Sequence, residues 1–490
     1  MKEGMTMLET INTSPLFRDR CYINGEWVPA NSGETLNVEN PATGTVIGTI
    51  ALAGGEETEA AIAAAETAMV SWRKTTADAR SAILERWFDL IIENRDELAR
   101  IMTIEQGKPL AEAKGEVNYG AAFAKWFAEE ARRTYGETVP APNEDGRIIV
   151  VKQPIGVVAA ITPWNFPLAM VTRKVAPALA AGCTIVLKPS EITPYSALAL
   201  TVLAEMAGVP KGVFNVVTGN AQQIGAAMTS SPVVRKVTFT GSTRVGKLLM
   251  EQCAGTVKRV GLELGGNAPF IVFDDADLDL AIAGAMGSKF RNGGQACVSS
   301  NRMLVQDGIY DKFAARLAEA MAQLKVGNGL EPDSTVGPMV NAASIAKITT
   351  HVEDAVAKGA KVLAGGELIS GLFYAPTILT DVSEDMLVFT DETFGPVAPL
   401  VRFSTEEQAI AMANDTPYGL SAFFYTQNLN RAFRVGEALE FGMVGINAGS
   451  VSVAAAPFGG IKESGAGREG SRHGLDDYLE LKALHFGGVR

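Results

Sequence analysis

The sequence is poor in the residues that build metal centres and secreted scaffolds, with 3 histidines and 4 cysteines in 490 residues. His351, His473 and His485 lie far apart and none stands in an HxxxH arrangement, so a zinc or iron site would need unusual ligands and no metal is expected. Cys21, Cys183, Cys253 and Cys297 form no CxxC pair and no closely spaced framework. That excludes a disulfide-stapled secreted domain and points to a reducing, cytoplasmic compartment. Long apolar runs are missing too. The most apolar stretch, VAPALAAGCTIVL at 175–187, is too short for a bilayer and contains Pro177, Gly182 and Thr184, so no transmembrane helix is expected. The N-terminal MKEGMTMLETINTSPLFRDR has charges throughout and no apolar signal-peptide core, and reads as an extended, partly disordered lead-in. Positive charge is in deficit: 43 Lys and Arg against 55 Asp and Glu give a net charge of −12. Such a surface repels phosphate backbones and anionic lipid, so neither a nucleic-acid nor a membrane partner is expected.

What is present is a large globular composition, 47% hydrophobic and 20% charged, longer than a single core usually supports, and two or three domains are expected. After a strand-like CYINGEWV, residues 56–72 and 78–105 show helical apolar spacing, and a third helix is expected over 112–133. RIIVVKQPIGVVAAIT then alternates and is β-branched, and the short apolar strands TIVLKPS, FNVVTG, KVTFTGS and APFIVF recur between helical stretches. That rhythm predicts an α/β fold built on an open, mostly parallel sheet. A second α/β domain is expected from near Leu262, where NRMLVQD, AKVLAGG and PLVRFS alternate with helical segments such as IYDKFAARLAEAMAQL and TEEQAIAMAN. The terminal GLDDYLELKALHF reads as a strand whose expected partner is RIIVVKQP. There is no internal repeat and no low-complexity linker, which implies crossing segments rather than a flexible tether.

Four segments carry candidate chemistry. GSTRVGKL, at 241–248, follows a strand and opens a helix, and it fits GxxxxGK. Leu248, however, stands where a P-loop needs the hydroxyl that holds magnesium, which disfavours a P-loop nucleotide hydrolase. The turn still offers backbone N–H groups and a positive helix end to a phosphate, and an ordinary tight turn fits the same residues. In LKPSEITP, Lys188 and Glu191 follow a strand end; an acid there can accept hydrogen bonds from adenosine ribose hydroxyls and repel a 2′-phosphate, which favours NAD over NADP. A solvated charge pair is the plain alternative.

A free thiol ionises near pH 8.5, roughly, so a nucleophilic cysteine needs a setting that raises its thiolate fraction. In FRNGGQACVSSNR, at 290–302, Cys297 is flanked by Asn292, Gly293, Gly294, Gln295 and Ser299, poor material for a core, whereas the other three cysteines sit in apolar or helical contexts. Glu263, between apolar residues in LELGGNAP, is either structurally paired or tuned as a base. Asn165, in the stiff aromatic loop ITPWNFP, is either a turn residue or a donor aimed at a developing oxyanion.

TPWNFP, LKPSE, FTGS followed by a glycine, LELGGNAP, GQAC, ETFGP and PFGGIKESGAGRE occur in an order that resembles the aldehyde dehydrogenase superfamily over nearly the whole chain. The resemblance implies a Rossmann-type cofactor domain without GxGxxG, an α/β catalytic domain and a small β oligomerisation flap. On this chain it implies NAD(P) binding by residues 1–136 and 157–261, catalysis on 262–456, and a flap from 137–156 and 472–490 that joins a homodimer or homotetramer. It implies that Cys297 is the nucleophile, Glu263 the general base, Asn165 the oxyanion donor beside the Cys297 N–H, and Glu469 a proton relay as in some relatives. The cofactor contacts it implies are Thr162, Pro163, Trp164, Lys188, Glu191, Gly225, Gly241, Ser242, Val245, Leu264, Glu392 and Phe394, with Glu392 on the nicotinamide ribose. NAD is the expected cofactor and NADP the alternative. A thiohemiacetal, hydride transfer and thioester hydrolysis follow, and the presence of Glu263 argues against a CoA-acylating branch.

FRNGGQACVSSNR, PWNFPLAMVTRKVAPALAAGC and FRVGEALEFGMVGIN are most similar to succinate-semialdehyde dehydrogenases, which implies that Arg173 and Arg291, with Ser452, grip a distal carboxylate. Two departures stand out. Ser299 replaces a second cysteine often found there, so no redox switch of that kind is expected. The loop NAGSVSVAAAPFGG is smaller and more apolar than its usual counterpart, which opens the site to glutarate semialdehyde or a sulfonated aldehyde such as sulfolactaldehyde.

Overall fold

The computed structural model describes residues 11–489. An eight-stranded sheet runs in the order Glu26–Val28, Cys21–Ile23, Phe214–Val216, Thr184–Lys188, Val157–Ile161, Val234–Thr240, Arg259–Glu263, Gly465–Ala466. The strands from Phe214–Val216 to Arg259–Glu263 are parallel and the outer pairs antiparallel. Side chains alternate between two faces of a strand, and here they divide two cores. Val158, Ala160, Ile185 and Leu187 join one, while Val157, Ala159, Val186 and Val237 join the other. A sheet buried on both faces needs runs as apolar as TIVL, which is why these segments stood out in the sequence.

The second sheet has seven strands in the order Lys361–Ala364, Thr377–Thr380, Val397–Phe403, Ser300–Gln306, Ala268–Val272, Ser421–Tyr425, Met443–Ile446, all parallel except the first pair. It too separates two cores, with Ile271, Leu304 and Phe424 on one face and Phe270, Met303 and Phe423 on the other. Strand Arg259–Glu263 stays with the first sheet, so the division expected at 262 falls inside a strand, and Gly465–Ala466 returns from the far end of the chain to pair with it.

Several boundaries differ from expectation for local reasons. The helix expected over 78–105 is two, Ala77–Glu93 and Arg95–Gln106, because Asn94 leaves helical geometry at φ −99°, ψ 16° and its side chain donates to the Leu90 carbonyl at 2.8 Å. RIIVVKQPIGVVAAIT splits at Gly156, whose φ of +134° turns the chain from Arg147–Pro154 into Val157–Ile161. The first of these pairs antiparallel with Leu479–Phe486, the partner expected from the sequence, and Glu137–Val139 completes a three-stranded sheet. The lead-in is not loose from residue 11 onward: Ile11 and Leu16 are buried in the first core, while residues 1–10 lie outside the described ones. The hairpin of Thr35–Asn40 with Thr45–Ala51 went unread. Among the described residues no helix is long and apolar enough to cross a membrane.

The register of the first sheet decides where a ligand can sit. Ile161 is level with Lys188 and Phe239, and Thr240 with Glu263, so four parallel strands end along one edge. The chain passes from Val157–Ile161 outward through Thr184–Lys188 to Phe214–Val216, then returns to the other side at Val234–Thr240. That reversal is a topological switch point, where open α/β sheets leave a crevice.

Arg302 ties strand Ser300–Gln306 of the second sheet to the segment entering Ala268–Val272 and to helix Glu406–Asn414. It is fully buried, and it donates through Nε and Nη2 to the Asn267 carbonyl at 3.1 and 2.9 Å, through Nη1 to Met412 O at 2.8 Å and through Nη2 to Ala413 O at 2.8 Å. Burial lowers its pKa to about 10, so it remains a cation at neutral pH, at the C-terminal end of helix Glu406–Asn414. Arg302→Met would leave three buried carbonyls without donors at about 1–3 kcal/mol each. A loss of unfolding free energy of about 3 kcal/mol or more is expected in urea titration, and an unchanged midpoint would refute the anchoring role.

Candidate active site

Of the residues expected to bind a nucleotide, Thr162, Pro163, Trp164, Lys188, Gly241, Ser242 and Leu264 lie at or just beyond the strand ends of the switch-point edge. The Gly241 N–H donates to the Glu263 carbonyl at 3.0 Å, and the Ser242 side chain accepts from Val245 N–H at 3.4 Å, capping helix Thr243–Ala254. Gly246 packs so closely on Leu264 that a Cβ would meet a Leu264 methyl at 2.4 Å. Trp164 meets Phe394 edge-on, with centroids 5.6 Å apart at 80°, and Phe394 takes a left-handed φ of 55°, which is uncommon for a bulky residue and clusters at functional sites.

Between the two sheets lies a cavity of ≈ 350 Å³ lined by Pro163, Trp164, Asn165, Gly241, Ser242, Leu264, Cys297, Glu392 and Phe394. Thr240, Gly265, Asn341, Ala343, Ser344 and Lys347 also line it and were missed in the sequence. One signal was available. Asn341 stands before helix Ala342–Ala357 and accepts from Ser344 N–H at 2.9 Å, an N-cap that turns a second helix end toward the cavity. Thr162, Lys188, Glu191, Gly225 and Val245 are not in the lining. Thr162 and Lys188 stay on the same edge, joined by a 3.1 Å hydrogen bond from Thr162 N–H to the Lys188 carbonyl; Lys188 Nζ is ion-paired with Glu191. Burial works against the Glu191 anion, yet Lys188 holds its pKa below the ordinary carboxylate value. A Cβ on Gly225 would meet nothing, so that position faces open space.

These residues fit a dinucleotide. The buried hydroxyls of Thr162 and Thr240 have no partner among the described residues, and two capped helix N-termini, suited to anions, border the cavity. Among the described residues no group of three or more His, Cys, Asp or Glu is placed to hold a metal ion.

The Cys297 loop enters through three consecutive left-handed residues, Asn292, Gly293 and Gly294, at φ 52°, 61° and 76°. A Cβ at Gly294 would meet the Gly395 carbonyl at 2.2 Å, and one at Gly266 would meet the Cys297 carbonyl at 2.4 Å. The glycines therefore let three backbones converge on the thiol. Cys297 is half-buried, whereas Cys21, Cys183 and Cys253 are fully buried. Burial pushes the Cys297 thiol up to about 12, Glu392 adds to the rise and Arg173 opposes it. Ser299 is buried, with its hydroxyl on the Lys289 carbonyl at 3.4 Å.

Asn165 meets this loop directly. Its Nδ2 donates to the Gln295 carbonyl at 3.1 Å and its Oδ1 accepts from Phe166 N–H at 3.1 Å, which fixes the amide plane and leaves one Nδ2 hydrogen uncommitted by these bonds. Glu392 accepts from Gly266 N–H at 2.9 Å, and burial lifts its pKa to about 7.

Glu263 ends strand Arg259–Glu263, buried, and its Oε2 has no partner among the described residues. Burial first, then the charge of Glu469, raise its pKa well above the ordinary value, against Arg173 and Lys174. Glu469 behaves oppositely. Burial disfavours its anion, but Lys174 at 2.5 Å and Arg173 at 2.8 Å hold it ionised. One buried acid is thus kept neutral and its neighbour charged.

Arg173 is not a solvated surface arginine. It is 1% exposed, stacks 3.8 Å from the Phe458 ring centre and donates to the Tyr119 hydroxyl at 3.0 Å; Tyr119 in turn is hydrogen-bonded to Ser452. Its Nε has no partner among the described residues. Arg291 is exposed and lies 5.3 Å from the centre of the Phe166 ring, so Phe166 carries one arginine on the loop that also bears Cys297. With the thiol held neutral by burial, alkylation by iodoacetamide should map to Cys297 alone at short times. Its rate should climb about tenfold per pH unit through pH 9 without levelling, because the thiolate fraction grows until pH reaches the pKa. A plateau near pH 8, or label on another cysteine, would contradict this geometry.

The family model described as the aldehyde dehydrogenase family matches residues 27–484. The glutarate-semialdehyde dehydrogenase of Pseudomonas putida is 61% identical over 474 residues, covering 97% of this chain and 99% of that protein. The NADP(+) succinate-semialdehyde dehydrogenase of Escherichia coli is 58% identical over 479 residues, covering 97% and 99%. The crystal structure of betaine aldehyde dehydrogenase from Staphylococcus aureus in complex with NAD+ superposes with a TM-score of 0.96 at 37% identity, covering 99% of this chain and 98% of that one. The chain therefore has the aldehyde dehydrogenase fold, belongs to the aldehyde dehydrogenase family and is an NAD(P)-dependent aldehyde dehydrogenase.

Proposed function

We propose that this enzyme oxidises a short semialdehyde with a distal carboxylate, succinate or glutarate semialdehyde, to the dicarboxylic acid, with NAD as the preferred cofactor. The observation that carries the substrate class is Arg173. A buried guanidinium N–H without a partner costs about 1–3 kcal/mol, which a carboxylate oxygen would recover. The Tyr119 and Ser452 hydroxyls beside it and the exposed Arg291 on the cysteine loop supply further donors to the same kind of anion.

In this reading Cys297, as thiolate, attacks the aldehyde carbon, and the oxyanion is met by Asn165 Nδ2 and the Cys297 backbone N–H. Glu392 and Phe394 would hold the nicotinamide end of NAD, which would supply the hydride acceptor that lets the thiohemiacetal collapse to a thioester. Glu263 then takes a proton from the attacking water, and the thioester carbon passes to the carboxylic acid as the thiol leaves. The pKa of Glu263, raised by burial and by the charge of Glu469, makes its anion a stronger base than an ordinary carboxylate. Glu469, expected from the resemblance as a proton relay, is held ionised by Lys174 and Arg173, and its charge strengthens Glu263 as a base. Glu191, kept anionic by Lys188, would accept ribose hydroxyls and repel a 2′-phosphate.

The first sheet with its helices serves the cofactor, the second the cysteine chemistry. The exposed apolar side chains Leu484 and Phe486 on one face of Leu479–Phe486, with Ile149 opposite Leu484 across the ladder, are the surface through which copies would join as dimer or tetramer. Four free cysteines fit a reducing cytoplasm.

A panel of carboxylated, sulfonated and neutral aldehydes, with NADH and NADPH followed separately, tests the substrate. Carboxylated semialdehydes should lead in kcat/KM, and Arg291→Gln should raise their KM without affecting neutral aldehydes. Equal efficiency on neutral aldehydes would sink the anion reading, and a strong NADP preference would remove the role given to Glu191. Asn165→Ala should lower kcat by roughly a hundredfold or more, as loss of an oxyanion donor costs about 3 kcal/mol. Because burial raises both the thiol and Glu263, kcat should rise with pH, the thiol alone extending the rise beyond pH 9, and Glu263→Gln should abolish the part of that rise set by deacylation.

A further inference from the structure

Asn165 and Cys297 belong to loops of different sheets, so the distance between oxyanion donor and nucleophile must be fixed by something that touches both. Asn292 does so. Its Nδ2 lies 3.0 Å from the Asn165 carbonyl and 3.2 Å from the Gln295 carbonyl, the same oxygen that receives the Asn165 amide. Its own groups are held from the opposite side: the backbone N–H donates to Glu112 Oε2 at 2.8 Å, and Oδ1 accepts from Gln106 Nε2 at 3.1 Å. The residue is 2% exposed and in the left-handed region at φ 52°, ψ 31°, a conformation asparagine tolerates better than most side chains.

A second anchor reaches the same carbonyl. Lys108 Nζ donates to Asn165 O at 2.8 Å and to Glu116 Oε2 at 2.5 Å, and it sits 4.1 Å over the Phe166 ring. Glu116 Oε1 in turn accepts the Leu168 and Ala169 N–H groups at 3.0 and 3.1 Å, fixing the start of helix Ala169–Ala181. Gln106 closes the circuit by accepting from Lys108 N–H at 3.0 Å. A buried lysine–glutamate pair is weak evidence for stability, since desolvation offsets its Coulomb energy. Fixing register is the better-attested use of such a pair, and this one grips the peptide that follows the oxyanion donor.

We propose that Asn292, braced by Gln106 and Glu112 and seconded by Lys108, is a positioning residue that sets the Asn165 amide against the Cys297 loop. It touches neither substrate nor thiol. The Asn165 amide plane stays fixed, with one Nδ2 hydrogen left for the oxyanion, and Asn292 shares the Gln295 carbonyl that the other Nδ2 hydrogen meets. The inference rests on the proposed roles of Asn165 and Cys297.

The test is a double-mutant cycle read by NADH formation in a single turnover and by steady-state KM. Asn292→Gly keeps the left-handed backbone and removes the side-chain bonds; it should slow the single turnover by about 10- to 100-fold, as misplacement of a reacting group does, with KM for NAD and aldehyde little changed. In an Asn165→Ala background the same substitution should slow it no further. Unchanged turnover in Asn292→Gly, or a full additional loss in the Asn165→Ala background, would overturn the proposal. If Asn165→Ala alone is fully active, the oxyanion reading fails first, and the two failures are thereby told apart. Should Asn292→Gly not fold, Asn292→Asp takes its place in the same cycle: it keeps volume and backbone preference but sets an acceptor against two carbonyls, and the same two outcomes decide.

Discussion

The ion pairs of Glu469 with Lys174 at 2.5 Å and Arg173 at 2.8 Å hold a segment near the C-terminus onto helix Ala169–Ala181, beneath the strand that ends in Glu263. Two cations and one anion are confined in a space from which water is largely excluded. A second full anion there, on Glu263, would be opposed by Glu469 and supported by the two cations, and burial tips the outcome toward the neutral acid. The protonation of Glu263 is therefore a property of the cluster rather than of one residue. The same Arg173 also reaches toward the thiol, where it opposes the rise that burial and Glu392 impose. One guanidinium thus couples a carboxyl and a thiol that make no hydrogen bond to each other.

Where the sequence was legible, the reason is periodicity or turn chemistry. TIVLK and APFIV are apolar on both faces because both faces are buried, and the glycine turn at 241 stands where a parallel strand hands over to a helix. Leu248, which spoiled the P-loop match, is exposed on the helix flank, away from the cap at Ser242. The break at Asn94 was not legible. Helical spacing continues across it, and the break is a departure of the Asn94 backbone to φ −99°, ψ 16° that no apolar pattern encodes.

The candidate site divides in the same way. Cys297, Asn165, Glu392 and Phe394 line one cavity although 132 residues separate the first two, and that convergence was carried by motif order rather than by anything local. Gln106, Lys108, Glu116 and Asn292 escaped because a polar residue reads as solvated when its partners lie outside its own segment. Lys108 and Glu116 are eight residues apart and both buried, yet what they hold is backbone: Lys108 donates to the carbonyl of Asn165 and Glu116 accepts the N–H groups of Leu168 and Ala169, which no side-chain pattern reveals.

Under the proposed reading, anion selectivity depends on how the two arginines differ in setting. Arg291 is exposed, so its attraction for a carboxylate is screened by water and salt and acts mainly to draw the anion in. Arg173 is buried and already shares its charge with Glu469, so an arriving carboxylate would gain little from net charge and more from geometry. The planar fork presents Nε without a partner while Nη1 and Nη2 are engaged, and Phe458 stacked on its face keeps the guanidinium from turning. A lysine could offer the charge but neither the stack nor the fixed N–H direction. Under the proposed reading, the distance from the thiol to that direction sets which chain length places the aldehyde on Cys297, and Tyr119, which bonds both Arg173 and Ser452, fixes the distance.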